Sequence, residues 1–182
     1  MRAMFKKFFA KFRIGLCYLL FALANIVFAA VIGICLILSL FGLRDYKKKI
    51  NAALRIIVRL LSITIFPSVG GYKVKIDGLE NIQKSPAIYT FNHISLLDPL
   101  FAISQIPNAA VVVKGKYDSI LAIWLLTRFF DFISTGDGSR GDIERAMGKI
   151  SDAVGRGCNL IVFPEGTRMN GERLGDFKSI AF

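Results

Sequence analysis

Hydrophobic and polar positions divide the chain into three stretches of different character. Positions 14–43 form an apolar run of 30 residues without a charge. As one helix it would span about 45 Å at 1.5 Å per residue, against a hydrocarbon core of roughly 30 Å. That excess predicts a strongly tilted membrane span or a re-entrant helical hairpin. Over 46–66, Ile50, Leu54, Ile57, Leu61 and Ile65 recur at helical spacing, with Lys49, Arg55 and Arg59 elsewhere around the axis. The pattern fits a basic amphipathic helix on a membrane surface, or a helix packed on the soluble domain. Pro67 and Gly70-Gly71 then break it and mark a domain boundary.

From Tyr72 onward the period shortens. Positions 72–76 alternate, while 87–91, 109–113, 129–134 and 159–163 are short runs rich in Val, Ile and Phe. Between them, 95–106, 117–128 and 142–156 read as helices. Strands alternating with helices of this length predict an α/β domain, a mostly parallel sheet with flanking helices, preceded by an N-terminal helical membrane anchor. The expected division is 1–66 for the anchor (apolar 14–43, basic amphipathic 46–66) and 72–182 for the α/β domain.

Charge sharpens this division. The chain is 54% hydrophobic yet carries a formal net charge of +11. Residues 1–75 hold 13 Lys and Arg against the single acid Asp45, whereas residues 76–182 hold 11 against 12 acids. The basic excess therefore flanks the apolar run, where anionic headgroups would attract it by about 1 kcal/mol per cation. The α/β part has no cationic surplus to neutralise a phosphate backbone, which excludes nucleic acid as a partner. Basic flanks on both sides of 14–43 mean that the positive-inside rule favours neither orientation. Cys17, Cys35 and Cys158 show no pairing pattern and read as small core or lipid-facing residues in a reducing compartment. With one histidine in the chain, no metal site is expected.

That histidine, His93, stands in F-N-H-I-S-L-L-D-P-L (91–100), two residues past a predicted strand. Open parallel sheets bind ligands beyond the carboxyl ends of their strands. The bland reading is a turn cap. On one continuous helix, 93 and 98 would lie about 140° apart and could not readily touch. Pro99 offers Asp98 as an N-cap, with an intervening turn that returns its carboxylate to the imidazole. Alternatively Ser95 caps and Asp98 closes a capping box. Under the first geometry the carboxylate fixes the tautomer and leaves the other ring nitrogen free to take a proton. No G-x-S-x-G nucleophile motif is present, so such a base would act directly on a substrate hydroxyl. The second cluster, I-V-F-P-E-G-T-R (161–168), runs from a strand into an acid, a glycine, a hydroxyl and an arginine. Gly166 permits close backbone approach, and Arg168 can grip a phosphate with two donors.

N-H-I-S-L-L-D (92–98) and F-P-E-G-T-R (163–168), in this order behind an apolar N-terminal segment, resemble the glycerolipid acyltransferases, above all the lysophosphatidic acid acyltransferases. The resemblance covers roughly 72–182 and implies a glycerol-phosphate acyltransferase-like fold. It implies that His93 deprotonates a glycerol hydroxyl, that Asp98 orients His93, and that Glu165, Gly166, Thr167 and Arg168 hold the glycerol phosphate. The acyl donor would be a thioester of CoA or acyl carrier protein, used as a substrate with no resident cofactor. The expected product is phosphatidic acid, made from lysophosphatidic acid among membrane lipids at the cytoplasmic face. Three departures stand out. The run F-I-S-T-G-D-G-S-R (132–140) lacks the arginine that family members carry there, unless Arg140 replaces it. G-K-Y-D-S-I-L-A-I-W (115–124) lacks the proline and glycine usual in that stretch. Family chains also continue past the second motif, so the sequence reads as truncated, with F-K-S-I-A-F (177–182) opening a buried helix. These leave open an acceptor such as another lysolipid or an acylated amino-acid lipid, and a non-catalytic membrane protein that keeps the fold.

Overall fold

The computed structural model describes residues 2–40, 55–83, 86–95, 97–117, 119, 124, 127, 131–169 and 173–178. The chain divides into two compact units, Met1–Asp77 and Gly78–Phe182.

In the first unit, α1 (Arg2–Leu40) is one unbroken helix. Its 39 residues make it about 58 Å long. The predicted hairpin does not form over these residues. Within α1, Lys7–Val31 is long and apolar enough to cross a membrane. Residues 55–59 are helical, continuing as a π-helix over Leu60–Ile65 and as α2 over Phe66–Gly70. Two features explain the wide turn. The Ser62 hydroxyl donates to the Val58 carbonyl at 2.7 Å, and Pro67 has no N–H to offer four residues back. An extra residue in the turn shifts the apolar face. Val58, Leu61, Ser62 and Phe66 are buried, whereas Ile57 and Ile65, predicted to share that face, are only half-buried. Phe66 meets Phe21 of α1 with ring centroids 6.4 Å apart. The segment thus packs on α1 over these residues; positions 46–54 lie outside the described residues. Gly71 ends α2 in the left-handed conformation, φ 73°.

The second unit is the α/β domain. Its sheet holds β1 (Ile88–Thr90), β2 (Ala109–Val113), β3 (Phe132–Ser134) and β4 (Asn159–Val162), all parallel, in the order β1-β4-β2-β3. Helices α3 (Asp98–Gln105) and α4 (Arg140–Gly155) fall within the predicted helical stretches or one turn from them. The helix expected over 117–128 lies mostly outside the described residues. Positions 72–76 are not a strand. Alternation needs a buried face and a ladder partner, and here Val74 alone is half-buried among exposed neighbours. Phe177 and Lys178 are non-helical, and the rest of that predicted helix lies outside the described residues.

One face of the sheet (Ala110, Ile133, Leu160, Val162) packs on the apolar stripe of α4 (Ala146, Ile150, Ala153) and on Cys158. Val111 and Ile161 are buried on the other face, and β4 is buried throughout, as a central parallel strand should be. Burial pushes the Cys158 thiol up, and Asp131 beside it adds to the shift. Asn159 joins three strands at their amino ends: its Oδ1 accepts the Ala87 N–H at 3.0 Å and its Nδ2 donates to the Pro107 carbonyl at 2.7 Å.

At the opposite end, the loops after β2 and β3 press together. A Cβ on Gly115 would overlap the Gly136 backbone. Gly136 itself has φ 59° and lies against the Asp142 carboxylate. The Asp137 backbone N–H, donating at 2.9 Å, holds the Asp142 carboxyl below its usual range. Gly115→Ala should therefore destabilise the fold by about 1–3 kcal/mol through overpacking. At this size that lowers Tm by about 2–4 °C per kcal/mol. Thermal unfolding followed by circular dichroism checks this, and an unchanged Tm would contradict the loop contact.

Candidate active site

The strand order brings the two sequence motifs together. β1 and β4 are parallel neighbours with Ile88 opposite Leu160 and Thr90 opposite Val162. The 72-residue offset of that register carries past the strand ends, where the His93 backbone N–H donates to Glu165 Oε1 at 3.2 Å. Phe91 and Phe163 face each other with centroids 5.9 Å apart. The His93 ring lies against Phe163 at 4.7 Å with planes 42° apart. The Met169 N–H donates to the His93 carbonyl at 2.7 Å, so the segment 163–169 holds the His93 peptide from both sides.

Asp98 holds the ring itself. Its Oδ2 lies 3.0 Å from His93 Nδ1 and accepts the Ile94 and Ser95 backbone N–H groups, each at 2.7 Å. Asp98 is not the N-cap expected from Pro99: the helix begins at Asp98 with Leu97 in the cap position, although the carboxylate does return to the imidazole. The carboxylate reaches back to the Ser95 amide as in a capping box, while the Ser95 hydroxyl accepts the Leu97 N–H at 3.1 Å. The same oxygen reaches the imidazole. A carboxylate can only accept, so Nδ1 carries the hydrogen, and in the neutral ring Nε2 presents a lone pair. The His93 side chain is 18% exposed and that of Asp98 21%, so the ring is anchored without being sealed from solvent.

The other four residues separate into two groups. Thr167 and Arg168 are exposed, and among the described residues no ion pair involves Arg168. Gly166 has φ 58°, a conformation suited to glycine. Glu165, expected to bind the acceptor, instead turns inward. It is 2% exposed, and its Oε2 accepts the Gly175 N–H at 3.1 Å. The sequence pattern missed Lys114, the first residue after β2. Its Nζ would lie 3.8 Å from a Cβ on Gly166, which puts a cation beside the second motif. The carboxyl-end rule that singled out His93 applies equally to this position. Arg140 does not fill the missing arginine's place: its side chain is 93% exposed and paired with Glu144 at 3.0 Å. Among the described residues, no three His, Cys, Asp or Glu side chains are grouped to hold a metal ion.

Comparisons with known proteins point the same way. The chain is 32% identical over 124 residues to a chloroplastic 1-acyl-sn-glycerol-3-phosphate acyltransferase of Arabidopsis thaliana, covering 66% of this chain and 34% of that protein. It is 25% identical over 170 residues to a lyso-ornithine lipid O-acyltransferase of Rhizobium meliloti, covering 93% of this chain and 53% of that one. The chain thus spans about a third of the length of the first relative and half of the second. Its fold is that of the 1-acyl-sn-glycerophosphate acyltransferase PlsC from Thermotoga maritima, with TM-score 0.68 at 23% identity, covering 100% of this chain and 69% of that one. The acyltransferase family model matches residues 73–182, and the chain belongs to that family.

Proposed function

We propose that the protein moves a fatty acyl group from an acyl thioester, carried by CoA or acyl carrier protein, to the free hydroxyl of 1-acylglycerol-3-phosphate, giving phosphatidic acid. The observation that carries this reading is the 3.0 Å contact between Asp98 Oδ2 and His93 Nδ1 beneath a partly exposed ring. Nε2 takes the hydroxyl proton as the oxygen attacks the thioester carbonyl. The tetrahedral intermediate then collapses, the C–S bond breaks, and the imidazolium gives its proton to the leaving thiolate, which departs as the thiol and restores the neutral base. Asp98 steadies the positive ring during transfer.

In this reading residues 72–182 form the acyltransferase domain, and no resident cofactor takes part. Residues 1–66 anchor it, with α1 in the membrane and the reaction at the cytoplasmic face. Arg168 and Lys114 supply positive charge for the acceptor phosphate, with Thr167 as a further donor and Gly166 allowing close approach. A charge-assisted hydrogen bond contributes about 1.5–3 kcal/mol. Arg168→Ala should therefore raise the acceptor KM about 10- to 100-fold with a smaller change in kcat. Steady-state kinetics with varied lysophosphatidic acid checks this, and an unchanged acceptor KM would contradict the phosphate role.

A second reading, an acylated amino-acid lipid as acceptor, is favoured by the turn at 135–138 and the outward pairing of Arg140. A panel of lysolipids with one acyl thioester decides between them. Lysophosphatidic acid should be preferred, and preference for an acceptor without phosphate would overturn the first reading.

A further inference from the structure

We infer that Glu165 is a positioning residue that fixes the catalytic imidazole, and that it does not touch the acceptor. The inference rests on the transfer reaction proposed above, with His93 as its base. Glu165 stands in the middle of the phosphate-facing motif, yet a carboxylate aimed at a phosphate would repel it. The structure resolves this conflict by burying the acid. One oxygen accepts the His93 N–H and the other the Gly175 N–H, and the side chain is 2% exposed. Among the described residues no cation pairs with it. A buried carboxylate is tolerated where backbone donors satisfy it, and here the donors come from two distant segments. Glu165 therefore joins the loop after β1, the loop after β4 and the returning segment at Gly175. The imidazole is then fixed from two directions: Asp98 sets the ring, and Glu165 with Met169 sets the peptide that carries it.

Glu165→Gln tests this. The amide offers one acceptor oxygen, so one of the two backbone N–H groups would face an NH₂ donor. The clamp should loosen while the shape is retained. In the full chain in detergent, with lysophosphatidic acid and an acyl-CoA, kcat should fall about 10²-fold through misplacement of the base, and the acceptor KM should stay near its wild-type value. Because the chain has one histidine, the ultraviolet absorbance of carbethoxyimidazole formed with diethylpyrocarbonate reports His93 alone. The rate of this carbethoxylation should change several-fold in Glu165→Gln and remain at the wild-type value in Arg168→Ala. A raised acceptor KM with kcat and carbethoxylation unaltered would overturn the inference and make Glu165 a substrate ligand. Should the wild-type chain transfer no acyl group, the proposed reaction fails, while an altered carbethoxylation rate in Glu165→Gln would still uphold the positioning role. If Glu165→Gln does not fold, Gly175→Ala strains the same clamp from its other end. Its methyl would stand 3.2 Å from Glu165 Oε2 and 3.0 Å from Met169 Sδ. The same loss of kcat at constant acceptor KM is expected, and wild-type kinetics and carbethoxylation in that variant would overturn the inference.

Discussion

Replacing His93 with alanine is expected to lower turnover about 10²- to 10⁴-fold, the usual contribution of a positioned general base. No second histidine exists to take over. The two carboxylates that reach this residue, Asp98 and Glu165, already accept backbone N–H groups, which commits them to the loop. What survives should be the part of catalysis that comes from holding acceptor and thioester together. In the proposed reaction the imidazole acts on a hydroxyl and the phosphate is held elsewhere, so the acceptor KM should move little. Release of free CoA thiol at saturating lysophosphatidic acid measures the effect. Near-normal release by the variant would remove His93 from the mechanism.

Asp98→Ala should be nearly as damaging to turnover, about 10²- to 10³-fold, and unlike the His93 variant it should also weaken the fold. The lost oxygen serves three donors at once. Leaving the partly buried Ser95 amide without a partner costs up to about 1–3 kcal/mol. Asp98→Asn separates the two effects. Its carboxamide oxygen is held toward the same two backbone N–H groups, since an NH₂ there would oppose them, so the loop keeps its shape. The charge that steadies the protonated ring is gone. Turnover should fall in both variants, while Tm falls only in Asp98→Ala. Equal Tm losses would show that the carboxylate's charge, rather than its position, supports the loop.

Much of the α/β domain was legible because parallel strands are short, apolar and β-branched. The predicted run 109–113 coincides with β2, and β1 and β4 fall inside 87–91 and 159–163. Strand order was not legible. Nothing local in the sequence says that the first strand pairs with the last, and that pairing alone sets His93 opposite Glu165 across 72 positions. The inward turn of Glu165 was hidden for the same reason, because its burial depends on Gly175 returning to it. Lys114 was masked as the polar end of an apolar run, although its place just past β2 mirrors that of His93 past β1. In the N-terminal unit, regular spacing predicted a face through Ile57, Leu61 and Ile65. Ser62 and Pro67 overrode it by opening the helix into a π turn. The alternation at 72–76 carried no strand because its side chains mostly face solvent. The motifs pointed to His93 and Asp98, but the double duty of the Asp98 carboxylate, holding the ring and the Ile94 and Ser95 amides together, emerges only from the fold.

Central to the proposed mechanism is that the one imidazole presents Nε2 as a free base while Nδ1–H is tied to Asp98. Nitrogen-15 shifts of the histidine-labelled chain read this tautomer directly, because a single residue contributes. The neutral ring should carry its hydrogen on Nδ1, and Asp98→Ala should abolish that preference. A neutral ring with its hydrogen on Nε2 in the wild-type chain would contradict the mechanism.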